Sequence, residues 1–183
     1  MLKQIEIEFR SCFDQNKFNE LETFLQSNAE DLGQDNKNVF FYIFKDKLLK
    51  VVDEVSKKRG KIVLKNSKIG DGSDFEEIEI IIDKDSIEAT NNIFSELSLD
   101  CQLIESYQKR NNYLYKGVEI ALKYSNHWGF HIELEIVIDD IKLKKDAEKK
   151  IHAVAKELNI KLMNDVELEE FVNKLEKDYG KSQ

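Results

Sequence analysis

The chain has 183 residues, which is enough for one domain with a real hydrophobic core and too few for two ordinary domains to be the default. Its 36 acidic and 28 basic residues give a formal net charge of −8, which argues against a general electrostatic grip on nucleic acid or on an anionic membrane, so any anion must be bound locally. No apolar run approaches the roughly 20 residues of a membrane span, and the sequence therefore predicts a cytoplasmic protein without membrane or nucleic-acid partners.

The first predicted element is a strand at residues 4–10, where apolar and charged residues alternate strictly. Its charged face carries Glu6, Glu8 and Arg10. A helix follows, because Asp14 is a typical N-cap and the apolar residues after it recur at helical spacing. Residues 29–38 are polar and predict a loop.

Four further strands are predicted in the next part of the chain. Residues 39–44 are rich in aromatic and β-branched side chains, which indicates a buried strand. Residues 47–65 predict a hairpin whose second strand turns Lys61 and Lys65 to the same side. Residues 75–82 predict another strand with two carboxylates on one parity, Glu77 and Glu79.

The second half of the chain continues with a helix that begins at Asp85 or Ser86. Strands are predicted at residues 103–109 and 113–124, and the turn-prone pair Asn111-Asn112 separates them. The last strand, at residues 130–138, repeats the opening alternation and places Glu133 and Glu135 on one face. Two amphipathic stripes then predict a helical tail.

The two similar strands at residues 4–10 and 130–138 leave two interpretations open. Both could be half-buried strands of an antiparallel sheet whose charged faces meet water. Alternatively, they could pool their four carboxylates at a metal site inside a barrel. Cys12 and Cys101 lack the paired spacing of a zinc site, so a metal would be held by oxygen ligands.

The count of about eight strands favours an α+β fold built on a closed antiparallel eight-stranded β-barrel with helices packed outside it. The charged faces would then point into the lumen. Such a lumen is expected to hold metal ions and an anionic ligand, because unpaired buried charges are costly. We predict a single domain over residues 1–183, with the barrel at about 1–139 and a helical extension at about 140–180.

These motifs resemble the CYTH superfamily, the triphosphate tunnel metalloenzymes, which includes class IV adenylyl cyclases, thiamine triphosphatases and inorganic triphosphatases. Residues 6–10 are similar to the family's Glu-x-Glu-x-Lys signature. Lys65 is similar to the lysine of its Leu-Thr-x-Lys strand, and residues 77–79 to its central Glu-x-Glu. Arg110 stands where a Lys-x-Arg pair would lie, and residues 129–135 resemble the closing Gly-x-Phe-x-Glu-x-Glu strand.

The sequence also departs from the family pattern. Arg10 replaces the signature lysine, and Lys50 alone represents an expected Arg-x-Arg. Phe75 replaces a basic residue, Gln108 replaces a lysine, and Lys123 replaces an aspartate of the seventh strand. These changes reduce the family's usual set of cations, so loss of catalysis with retained binding is one of the alternatives.

The resemblance implies roles for the charged residues. The implied ligands of one or two Mg²⁺ or Mn²⁺ ions are Glu6, Glu8, Glu133 and Glu135. The implied phosphate-binding residues are Arg10, Lys50, Lys65, Arg110 and Lys123. Glu77 and Glu79 are the candidate catalytic residues, for activation of water or for a second metal.

The function that this resemblance implies is metal-dependent hydrolysis of a small triphosphate, whether inorganic, nucleoside or thiamine triphosphate. Two alternatives stay open. One is a class IV adenylyl cyclase that makes cyclic AMP from ATP, and the other is a catalytically impaired protein that binds triphosphate. The oligomeric state is expected to be a monomer or a homodimer.

Overall fold

The computed structural model describes residues 5–65 and 77–179. Within these ranges nine strands form one sheet, and four α-helices pack against it or follow it. The strands are β1 (Ile5–Phe13), β2 (Glu30–Gln34), β3 (Lys37–Ile43), β4 (Leu48–Glu54), β5 (Arg59–Lys65), β6 (Glu77–Ile82), β7 (Gln102–Tyr115), β8 (Val118–Ser125) and β9 (Gly129–Ile138). The helices are α1 (Gln15–Asn28), α2 (Ile87–Glu96), α3 (Lys144–Glu157) and α4 (Asp165–Tyr179).

The sheet is antiparallel, with strand order β1-β9-β8-β7-β3-β4-β5-β6, and β2 pairs with β7 beside this path. The first strand therefore lies next to the last one, although they are at opposite ends of the sheet-forming sequence. Their register sets Glu8 opposite Glu135 and Arg10 opposite Glu133. Directly opposite residues share a face of the sheet, so the two alternating patterns combine into one charged surface.

The predicted closure of the barrel is wrong, because the sheet is curved but open. Across residues 5–65 and 77–179 no pairing joins the two edge strands, β1 and β6. The edge of β1 instead meets the segment after α3, where the Met163 N–H donates to the carbonyl of Arg10 (2.8 Å) and the Ser11 hydroxyl donates to the carbonyl of Lys161 (2.7 Å). The Arg10 carbonyl that this segment occupies is one of the backbone groups that a closing strand would need.

The turn predicted at Asn111-Asn112 is also wrong, because β7 runs through both residues. The Asn111 amide donates to Glu22 of α1 (3.0 Å), and the Asn112 amide donates to the carbonyl of Gly33 (3.3 Å) in β2. The chain reverses instead at Lys116-Gly117, where φ is +52° and +69°. Two consecutive positive φ values suit a tight two-residue hairpin.

Helices α1, α2 and α3 cover the convex face of the sheet and leave the concave face to the charged residues. Helix α1 begins at Asp14, which accepts a hydrogen bond from the Lys17 N–H (2.9 Å) and confirms the predicted cap. Residues of α1 and α3 form the main core with the apolar faces of β1, β8 and β9, and Ile7, Leu134 and Ile151 in it are fully buried. A smaller core joins α2 to β3 and β4.

No helix in the described ranges combines the length and the apolar character that crossing a membrane requires.

Candidate functional site

The concave face of the sheet forms a cavity of about 340 Å³. Ten of the eleven residues predicted for the site line it: Glu6, Glu8, Arg10, Lys50, Lys65, Glu79, Arg110, Lys123, Glu133 and Glu135. The eleventh is Glu77, whose backbone lies opposite Lys65 in β6 and whose side chain lies outside the described residues. Alternation along seven strands thus directs residues from both ends of the chain to one cavity.

The charge of the cavity differs from that of the whole protein. Among the described residues, eight lysines and arginines and seven carboxylates line it, whereas the chain as a whole has a formal net charge of −8. The excess acid of the protein therefore lies elsewhere. This distribution is compatible with local binding of an anion, particularly if a divalent cation adds to the positive charge.

Three carboxylates, Glu6, Glu8 and Glu135, form what we call the acidic cluster. One oxygen from each lies within 4.8 Å of the oxygens from the other two. Burial, together with repulsion from Glu6 and Glu8, raises the pKa of Glu135 to about 7, although Arg110 partly opposes the shift. Burial also raises the pKa of Glu8, against the attraction of Arg10. These oxygens are the ligands that a hard divalent cation prefers, and a cation would relieve their repulsion, so the cluster fits Mg²⁺ or Mn²⁺.

Glu133, the fourth predicted metal ligand, lies among cations instead. Its Oε1 accepts from Arg10 Nε (3.1 Å), its Oε2 accepts from the ammonium of Lys123, and Arg110 Nη1 lies 4.0 Å from Oε2. Burial by itself would raise the pKa of Glu133, but Lys123, Arg10 and Arg110 outweigh it and hold this pKa well below its usual range. Glu133 is therefore ionised and paired with protein cations.

Arg10 connects the acidic cluster to Glu133. Its Nη2 lies 2.5 Å from Glu8 Oε1, and its Nε lies 3.1 Å from Glu133 Oε1. The guanidinium also lies over the ring of Trp128, 5.7 Å from the ring centroid. Trp128 in turn packs against Phe171 of α4, with 4.9 Å between ring centroids. The helical tail thus contacts the aromatic residue that supports Arg10.

A second group of cations, which we call the lysine cluster, consists of Lys37, Lys57 and Lys61. Lys37 lies 2.8 Å from Asp35, and Lys57 and Lys61 lie 3.5 Å and 3.6 Å from Glu54. Glu54 is fully buried. Burial opposes its ionisation, but the hydrogen bond from Arg59 and the nearby lysines together lower its pKa.

The lysine cluster adds residues that the sequence analysis did not assign to the site. Lys61 could have been found there, because it has the same parity as Lys65. Lys37 was hidden because residues 29–38 were assigned to a loop, which has no alternation to read. In the structure Lys37 begins β3, opposite Glu54 of β4 and Gln108 of β7, and this register turns it into the cavity.

The remaining predicted site residues differ in how far their side chains are buried. Lys50 and Lys65 line the β4 and β5 wall of the cavity. Lys123 is 5% exposed, and burial lowers its pKa to about 8 even though Glu133 favours the charged form. Glu79 is more open, with 39% of its side chain exposed, and it pairs with Lys61 at 2.7 Å.

Comparison with known proteins identifies a family. A family model described as the CYTH domain matches residues 4–168. No curated protein matches the sequence significantly.

Several solved structures share the fold. The PH1819 protein of Pyrococcus horikoshii OT3 is 18% identical with a TM-score of 0.69, and the match covers 89% of this chain and 97% of that chain. A Vibrio parahaemolyticus protein described as a candidate adenylate cyclase is 15% identical with a TM-score of 0.62, over 86% and 90% of the two chains. The Hippeastrum protein HpAC1, described as having a dominant triphosphatase activity, is 16% identical with a TM-score of 0.60, over 87% and 90%.

Proposed function

This chain belongs to the CYTH domain family, and on that premise we propose that it is a metal-dependent phosphohydrolase that acts on a small triphosphate in the concave cavity. The proposal rests mainly on one observation. The cavity holds three carboxylates that fit a divalent cation, and the described residues that line the same cavity include eight lysines and arginines. Binding a metal ion and a polyphosphate side by side requires both features.

In this proposal Glu6, Glu8 and Glu135 hold Mg²⁺ or Mn²⁺. Such an ion supplies charge neutralisation of phosphate oxygens and helps to orient the reacting groups. Lys50, Lys65 and Arg110 bind the phosphate oxygens. Because a loose phosphoryl-transfer transition state carries charge on several oxygens, cations placed on opposite walls of the cavity stabilise it mainly by position.

The lysine cluster extends the phosphate-binding surface along the cavity. Lys37 and Lys61 are turned into the same cavity as Lys50 and Lys65 by the pairing of β3, β4 and β5. We assign them to the part of the triphosphate that lies away from the acidic cluster. They would replace some of the positive charge that the missing Arg-x-Arg pair removes.

Arg10 and Lys123 have a different position from the other predicted phosphate ligands. Both are paired with Glu133, and Arg10 also holds Glu8. We therefore assign Arg10 to positioning of the carboxylates. Of the two candidate catalytic residues, Glu79 is the one whose side chain the structure describes. We assign it to orienting the attacking water, because it faces the cavity and 39% of its side chain is exposed.

The test is a substrate panel on the purified full chain, with tripolyphosphate, ATP and thiamine triphosphate, each in Mg²⁺ and in Mn²⁺. Phosphate, pyrophosphate and cyclic AMP are measured in parallel. We expect phosphate release that Glu135→Gln abolishes and Glu169→Gln leaves unchanged, since Glu169 is an exposed residue of α4.

Other results would overturn the hydrolase proposal in distinct ways. Cyclic AMP and pyrophosphate from ATP would identify a cyclase. Binding of triphosphate in a calorimeter without any product would identify a protein that has kept the cavity and lost catalysis.

A further inference from the structure

Lys123 is a buried ammonium that lies among carboxylates rather than at the open part of the cavity. It projects from the centre of β8, where its direct neighbour across the β8–β9 pairing is His131. Its Nζ donates to Glu133 Oε2, and its side chain is 7% exposed. A lysine held in this way by a buried carboxylate is a fixed positive charge, because leaving the carboxylate would separate the buried ammonium from the group that it donates to.

We propose that Lys123 is a built-in cation that takes the place of a metal ion at Glu133, so that the site accepts a single divalent cation, on the acidic cluster. The inference rests on the proposed metal site of Glu6, Glu8 and Glu135 and specifies how many ions that site takes.

The surroundings of Glu133 support this assignment. Each of its two oxygens already accepts from a protein cation, Oε1 from Arg10 and Oε2 from Lys123. A divalent ion at Glu133 would have to share an oxygen with one of these cationic donors. It would also meet the guanidinium of Arg110, which lies 4.0 Å from Oε2. Like charges at such distances repel strongly in a poorly solvated site.

The acidic cluster differs from Glu133 in how far protein cations neutralise its charge. Glu8 contacts Arg10 through Oε1, and one oxygen of each of the three carboxylates is still grouped within 4.8 Å. Arg10 contacts both Glu8 and Glu133. The arrangement therefore separates one place where negative charge accumulates from another where protein cations already neutralise it.

The experiment counts Mn²⁺ ions bound by the full chain, from the loss of the free-ion electron paramagnetic resonance signal during a titration without substrate. The parent protein is expected to bind one ion. Lys123→Met, which removes the charge and keeps an unbranched side chain, should bind a second ion at the vacated Oε2 of Glu133. Lys123→Arg keeps the charge and is the matched control, expected to bind one ion.

A double variant, Lys123→Met with Glu133→Gln, locates the second ion. It should return the count to one, because the carboxylate that the second ion uses is gone. A second ion that persists in the double variant would overturn the proposal, and so would a folded Lys123→Met protein that still binds one ion.

The Glu133→Gln variant keeps the test decisive if Lys123→Met does not fold, as judged by circular dichroism. Since Glu133 is not a ligand in this proposal, its count should stay at one and its Mn²⁺ affinity should change by less than about tenfold, the lower end of what losing a residue around a metal costs. Loss of Mn²⁺ binding in Glu133→Gln would overturn the assignment.

The parent count separates the two proposals. A parent that binds two ions overturns the role of Lys123 and leaves the metal-dependent hydrolase intact. A parent that binds none overturns the metal site itself, and the role of Lys123 fails with it.

Discussion

Replacing Glu135 by Gln is expected to stabilise the metal-free protein at about pH 8. The pKa of Glu135 is raised from 4.5 to about 7 by burial and by the carboxylates of Glu6 and Glu8. The folded protein therefore keeps this proton at pH values where the unfolded chain has lost it, and stability falls as the pH rises between these two values. At about 1.4 kcal/mol per unit, ionisation of Glu135 costs about 3 kcal/mol above the folded pKa.

The Glu135→Gln variant does not have this cost, because the amide has no charge to bury. We expect its melting temperature in chelator at about pH 8 to exceed that of the parent by about 5–10 °C, from the usual relation between free energy and melting temperature for a chain of this size. At about pH 5 both the folded parent and the variant carry an uncharged side chain here. The gain should then shrink to less than about 1 kcal/mol.

Divalent ions should reverse the comparison. Mn²⁺ at about 1,000 times its dissociation constant stabilises a protein that binds it by about 4.1 kcal/mol, which exceeds the cost of ionised Glu135. The parent should show this gain, whereas Glu135→Gln should not, since it lacks one of the three ligands. Thermal unfolding followed by circular dichroism, with chelator and with Mn²⁺, measures both effects.

Glu169→Gln is the control for the loss of one carboxylate, because Glu169 is exposed on α4 and should change neither quantity. The reasoning is refuted if Glu135→Gln melts below the parent in chelator at about pH 8, or if its advantage is the same at about pH 5. Either result would mean that burial and the carboxylates of Glu6 and Glu8 do not raise the pKa of Glu135.

Three further outcomes are expected. Lys65→Ala should raise the KM for tripolyphosphate by about tenfold to a hundredfold in a steady-state assay, because one charged hydrogen bond is lost. Lys109 is exposed and lies on the opposite face of β7, so Lys109→Ala should leave this KM unchanged. Leu134→Ala should lower the free energy of unfolding in urea by about 3 kcal/mol, because this fully buried residue would leave a cavity; a loss below about 1 kcal/mol would contradict its place in the core. Glu133→Gln should cost about 3 kcal/mol at about pH 7 in the same urea assay, since it leaves the buried ammonium of Lys123 without its carboxylate; an unchanged midpoint would show that the pair is not closed in solution.

The sequence was sufficient for those features that depend on neighbours along the chain. Alternation within residues 4–10 and 130–138 predicted that the carboxylates of each strand share one face, because successive side chains of any strand point to opposite sides. The cap at Asp14 was equally readable, since the residue and the N–H that it accepts lie three positions apart. Ten predicted site residues consequently line one cavity.

Tertiary structure decided which charges meet and how the sheet ends. Asn111 and Asn112 lie within a strand because Glu22 and Gly33, which are distant in sequence, accept their hydrogen bonds. The register of β1 against β9 set Glu133 opposite Arg10, and alternation alone could not show that Lys123 would reach the same carboxylate.

Whether the sheet closes into a barrel is the clearest example of a feature that the sequence could not determine. The patterns of β1 and β6 are the same in an open sheet and in a barrel, since each strand alternates in either one. An open sheet and a barrel differ in what pairs with the outer edges of β1 and β6. The edge of β1 meets residues 161–163, which follow α3 and show no strand pattern of their own. Local alternation therefore determined the face on which each charged residue lies, whereas contacts between distant segments determined that the sheet stays open and that Glu133 is neutralised by protein cations.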